Sequence, residues 1–182
     1  MSRLALVTTL VGIGLIAVRL PGVLAPARYR AFLVSFPRSK LWGRVLITVV
    51  GLIVWVIMLR ASRESDEWRW AQPFIVVGVP VVLYLIYRYG VHYLALRATA
   101  ALLLLVAKQM VDAADLSETP LRLIVTVLAY VWVIAAMWMA AAPHHFRDLI
   151  GWTMASDRRC RRLCSAGVVF GGVLVGLGLF VY

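Results

Sequence analysis

Two tandem histidines, His144 and His145, and two cysteines one helical turn apart, Cys160 and Cys164, come nearest to chemistry in this chain. Imidazole and thiolate both ligate transition metals, so His144 or His145 with Cys160 and Cys164 is metal-competent by ligand type. Arg158, Arg159, Arg161 and Arg162 surround the cysteines, however, and that density of positive charge opposes a dication. The third histidine, His92, is also expected at the inner membrane face. Bis-histidine haem in a bundle needs histidines facing each other within spans, and none is so placed. Asp148 and Asp157 can pair with nearby arginines, and no paired carboxylates suggest hydrolysis. The chain carries no Gly-rich nucleotide loop, no HExxH and no Gly-x-Ser-x-Gly. No metal, cofactor or catalytic residue is expected.

Charged residues inside apolar runs are the other pointer to function, because a bilayer tolerates them only with a reason. Arg19 sits near the inner end of the first run, Arg97 about a turn inside the fourth, and Lys108 near that run's outer end. All three are within snorkelling reach of an interface. No acid lies inside any run, which argues against coupling to protons or cations through an intramembrane carboxylate.

The elements that must position these residues are membrane helices. The chain is 63% hydrophobic, against roughly 45–50% apolar in a soluble domain, and its mean hydropathy is +0.91. That much apolar surface needs lipid as its solvent. Six runs approach the length of a span: 4–24, 45–60, 73–87, 93–111, 121–141 and 163–182. The second and third are short and must borrow flanking residues. The first imitates a signal peptide, since Ala25-Pro26-Ala27 has a small-x-small form. Pro26 opposes cleavage there, and the run is read as a retained helix.

The net charge of +11 does not point to nucleic acid, because the basic residues sit in short connections between spans. Arg28, Arg30, Arg38, Lys40 and Arg44 lie in the first connection; Arg147, Arg158, Arg159, Arg161 and Arg162 lie in the last. Asp112, Asp115 and Glu118 make another connection purely acidic. Basic and non-basic connections alternate, and six spans with both termini outside satisfy the positive-inside rule throughout. The cysteines then face a reducing compartment and form no disulfide framework. Arginine (17) far outnumbers lysine (2), in keeping with a GC-rich bacterial genome. The expected location is the bacterial cytoplasmic (inner) membrane, with the termini periplasmic and the arginines on anionic lipid headgroups.

Local signals mark boundaries. Thr119 before Pro120 predicts an N-cap with proline at the first helical position. Trp68 and Trp70 mark an outer aromatic belt, Trp42 and Trp152 an inner one. Pro80 after Gly78 predicts a packing kink in the third span. In the last connection Phe146, Leu149, Ile150, Thr153 and Met154 recur at helical spacing, and in the first Tyr29, Phe32, Leu33 and Phe36 do so before Pro37. Both predict short amphipathic helices in the headgroup plane. The two connections also align without a gap: Ala25-Pro26 with Ala142-Pro143, Arg30 with Arg147, Leu33 with Ile150, Ser39 with Ser156, Arg44 with Arg161 and Leu46 with Leu163. That pattern predicts a parallel internal repeat.

The last span is ridged with glycine. Gly167 and Gly171 form one small-xxx-small step, Gly172 and Gly176 a second, and Gly178 is assigned to the second side. Such steps let helix backbones approach closely, so two faces are expected, one for the protein's own bundle and one for a partner.

Pro143, Arg147, Leu149, Ile150, Arg161, Arg162, Gly167, Gly171 and Gly172 give the C-terminal hairpin a pattern that resembles the small YjeT-type bacterial inner-membrane proteins, a two-span family of unknown function. The resemblance implies a recurrent membrane hairpin and brings no activity. Here Cys160 and Cys164 interrupt the junction, and four further spans precede the hairpin.

The fold expected is all-α, a polytopic bundle of about six spans with interfacial helices on the cytoplasmic side. The function expected is that of a non-catalytic accessory or scaffold subunit in a larger membrane complex, with other membrane-protein subunits as partners. One alternative is an anion or small-solute channel or transporter lined by Arg19, Arg97 and Lys108. Another is a lipid-headgroup enzyme using His144 or His145, which lacks a partner acid or nucleophile.

Overall fold

A computed structural model describes residues 2–64, 66–89, 94–117 and 119–182. His92, Glu118 and the side chains of Arg38 and Trp68 lie outside what is described. The described residues form eight α-helices: α1 (Arg3–Leu24), α2 (Pro26–Ser35), α3 (Lys40–Glu64), α4 (Gln72–Tyr89), α5 (Leu94–Asp115), α6 (Arg122–Ala141), α7 (Pro143–Thr153) and α8 (Asp157–Phe180). Short 3-10 turns stand at Phe36–Arg38 and Asp66–Ala71. An apolar chain in lipid has no water to bond its backbone, so each span closes its own hydrogen bonds as helix. Six of these helices are long and apolar enough to cross a membrane, and the protein is a multi-pass membrane protein. The two short runs do lengthen into their flanks, α3 to 25 residues and the α4 span to 21.

α1 and α8 form the most extensive helix pair, running antiparallel. α5 packs on α6 and α3 and touches α1. It serves as the central helix because its buried positions are mostly alanine: Ala95, Ala98, Ala100, Ala107, Ala113 and Ala114. Leu4, Val11, Met110, Val125, Ala129 and Leu174 join four helices in one apolar cluster with three of these alanines. α4 leans on α3 and buries no described residue; Pro80 lies within it without interrupting the helix.

The ends of the bundle are fixed by polar contacts. At one end the Ser2 hydroxyl donates to the Tyr182 carbonyl at 3.0 Å, and the Tyr182 hydroxyl donates to the Leu121 carbonyl at 2.6 Å. The starts of α1 and α6 and the end of α8 therefore meet. At the other end Arg30 of α2 pairs with Asp157 of α8 at 3.0 Å.

The aligned segments share a backbone design. Ala25 closes α1 at φ −134°, ψ 68°, and Ala142 closes α6 at φ −130°, ψ 68°. Each alanine N–H bonds four residues back at 2.9 Å, and each is followed by proline at the first position of a short helix. Ser39 and Ser156, the paired serines, each accept from the backbone N–H three residues on at 3.3 Å, at the starts of α3 and α8. The α1–α2 and α6–α7 junctions and the starts of α3 and α8 thus share one local backbone design, and α5 packs against both α3 and α6.

Two boundaries differ from expectation. Thr119 does not cap α6 through its side chain. Its hydroxyl pairs with Ser117 at 2.7 Å, its carbonyl accepts from the Arg122 N–H at 3.1 Å, and α6 begins at Arg122. The turn at Pro120 satisfies those groups before the helix starts. The last arginine cluster is not loop: Ser156 caps α8 and Asp157 occupies its first turn, where a negative charge suits the helix dipole. Arg158, Arg159, Arg161 and Arg162 therefore belong to the first turns of α8.

Candidate functional site

The junction at the Arg30–Asp157 end of the bundle assembles from four elements. α1 ends after Pro21-Gly22; α2 packs against α1, α7 and α8; and Ile150 of α7 joins the apolar cluster at the start of α8. Tyr29, Met154, Cys160 and Cys164 form a buried cluster here, with Val23, Leu33 and Ile150 packed around it. Both cysteines are 0% exposed. The sulfur of Cys164 fits because residue 22 is glycine: a Cβ there would collide with Cys164 Sγ and with the Tyr29 ring. Burial pushes the Tyr29 phenol above its ordinary pKa, and nearby Arg19 pulls the other way.

The helix geometry separates charge from thiol. Cys160 and Cys164 share the inward face of α8, while Arg158, Arg159, Arg161 and Arg162 are exposed around it. Arg159 lies over the exposed Trp152 ring at 5.7 Å. Arg28 is exposed on α2, and Arg30 is half-exposed and paired to Asp157. Six arginines thus ring one end of the bundle, suited in charge and reach to phosphate headgroups.

The amphipathic stripes divide their contacts. Tyr29 and Leu33 of α2 turn to the thiol cluster, whereas Phe32 and Phe36 stack with Trp42 of α3 at 5.6 and 6.4 Å. On α7, Phe146 meets Trp138 edge-on at 6.5 Å and Ile150 bridges two apolar clusters. His144 and His145 are exposed with ring centroids 4.1 Å apart. The structure does not bring them to Cys160 and Cys164, and no three of His, Cys, Asp or Glu converge among the described residues.

The glycine faces separate clearly. A Cβ on Gly171 would stand 2.9 Å from the Gly12 carbonyl of α1, and one on Gly167 would stand 3.0 Å from the Arg19 stem. A Cβ on Gly172 or Gly176 would meet nothing within 4 Å. Gly178 corrects the assignment made from sequence: it is buried against Ala5 and Thr9. Seven residues are nearly two full turns, which returns position 178 to the face of Gly171. Between α6 and α8 runs an almost wholly apolar groove of about 480 Å³, lined by Leu123, Ile124, Val127, Leu128, Val131 and Phe170.

The intramembrane cations do not converge. Arg19 is half-buried along Gly167. Arg97 and Lys108 are exposed about three turns apart on the same outward face of α5, and Lys108 pairs with Asp112. Two functional positions escaped the sequence reading: Gly22 and Gly12, the partners of the α8 face. The small residues of α1 recur at Ala5, Gly12 and Gly22, and that spacing was the available signal. No protein-family model matches the chain, and neither a curated protein nor a solved structure matches it.

Proposed function

We propose that the protein is a non-catalytic accessory or scaffold subunit of a complex in the bacterial cytoplasmic membrane, with both termini periplasmic. The observation that carries this reading is the division of α8. One small-residue face is consumed by α1, while Gly172 and Gly176 remain open on a helix that also borders the apolar groove with α6. In lipid, close backbone approach is a main source of helix association, and an open glycine step suits a membrane helix of another subunit. The arginines around the α2–α7–α8 junction support the orientation, since Lys and Arg are retained on the cytoplasmic side, and they hold anionic headgroups there.

Extraction in a gentle detergent followed by native mass measurement tests the reading. Recovery with a second membrane protein, lost on Gly172→Leu and Gly176→Leu substitution, is the expected result. Recovery as a bare monomer that passes anions in liposomes would overturn it, and loss of that flux in Arg97→Leu would assign the path to α5.

A further inference from the structure

The buried cluster at the α2–α7–α8 junction holds a donor set that the scaffold reading does not use. Cys160 and Cys164 are wholly enclosed, one turn apart on one face of α8, and Met154 is 6% exposed in the same cluster. Two thiols and a thioether are soft sulfur donors. Zinc in a structural site takes four ligands, and no histidine or carboxylate completes such a set among the described residues. Cu(I) is satisfied by two or three sulfurs and is selected by thiolate and thioether softness.

We propose that Cys160, Cys164 and Met154 form a binding site for a soft monovalent cation, Cu(I), where α1, α2, α7 and α8 meet. Binding releases one proton from each thiol and forms two copper–sulfur bonds. The product is a bis-thiolate complex of net charge −1, with Met154 as the third, weaker donor. An anion buried without compensation is costly, and here the surroundings are cationic. Arg30 of α2 stands next in sequence to Tyr29 of the cluster, within its ion pair to Asp157. Four exposed arginines stand on the outer faces of the same turns of α8. Positive charge that opposes a dication is compatible with a bis-thiolate complex of net charge −1. Gly22 supplies the space at Cys164 Sγ that any side chain would fill.

The full chain in detergent, with reduced thiols, is titrated with Cu(I) held by a chromophoric chelator. The expected result is one equivalent withdrawn from the chelator, weakened on the order of 100-fold or more in Cys160→Ala and Cys164→Ala and about tenfold in Met154→Leu. Alanine keeps the pocket apolar, and the X-ray absorption edge of the copper-loaded unmodified protein is read alongside. A sulfur-only first shell is expected. A first shell of nitrogen or oxygen, or wild-type affinity no greater than that of the double alanine variant, would overturn the site and leave the thiols as packing groups. Loss of the scaffold partner would not alter either readout.

Discussion

Gly12 of α1 and Gly171 of α8 lie with their backbones in contact: a Cβ on either would stand within 2.9 Å of the other's carbonyl oxygen. The pair sits in an antiparallel register that continues to Gly178 beside Thr9 at one end and Cys164 beside Gly22 at the other. No side chain can be inserted without moving a helix.

Gly171→Leu should therefore destabilise the fold by about 1–3 kcal/mol or somewhat more, since the obstructing atoms are backbone and cannot rotate away. Gly172→Leu, one residue on, should leave stability within about 0.5 kcal/mol, because nothing lies within 4 Å of its Cβ position. Unfolding of both variants in a mixed-detergent titration compares them directly. Equal losses would contradict the division of α8 into an inner and an open face.

The six spans, the alternating charge and the two short helices α2 and α7 were legible because each is a property of contiguous residues. The Ala-Pro junctions and paired serines were legible for the same reason, and the structure shows what they encode: the closing bend of a span and the cap of the next. Pairing between distant segments was not legible. Nothing in α8 alone says that its Gly171 face meets α1 rather than α6, and Gly178 joins that face because seven residues are nearly two full turns. The enclosed thiols were unreadable for a related reason. Their neighbours in sequence are arginines, while their neighbours in space, Tyr29, Met154 and Gly22, come from α2, the residue that ends α7, and α1.

Thr8 is 2% exposed, and its hydroxyl is buried without a hydrogen-bond partner among the described residues. Extending the ungapped alignment of the two connections back into the preceding spans pairs Thr8 with Val125, which is fully buried. A buried hydroxyl left unpaired costs about 1–3 kcal/mol. Thr8→Val, which keeps the shape, should raise stability by about 1 kcal/mol in the same detergent titration. A loss of stability would show that the hydroxyl has a partner in the folded protein.

Arg30 and Asp157 tie α2 to the first turn of α8 at 3.0 Å, with side chains 39% and 53% exposed. A pair so open to solvent should couple by only about 0.2–1 kcal/mol in a double-mutant cycle. Asp157→Asn should cost more than Arg30→Gln, because Asp157 also faces the positive end of the α8 dipole. Raising the salt concentration should shrink the coupling. A coupling unchanged by salt would mean that lipid or protein shields the pair.

The orientation has a direct test in the contacts at the two ends. Ser2, Tyr182 and Leu121 are joined by hydrogen bonds, so whichever side holds one terminus holds the other and the α5–α6 connection. Ser35 is exposed near the arginine-ringed end. In intact cells an impermeant thiol reagent should label Ser2→Cys and Leu116→Cys and spare Ser35→Cys until the membrane is opened. Cys160 and Cys164, both wholly buried, should contribute little background. Labelling of Ser35→Cys alone would invert the protein and place the arginine ring outside. Labelling of Ser2→Cys without Leu116→Cys would break the antiparallel arrangement of α1 and α8 on which the closely packed glycines depend.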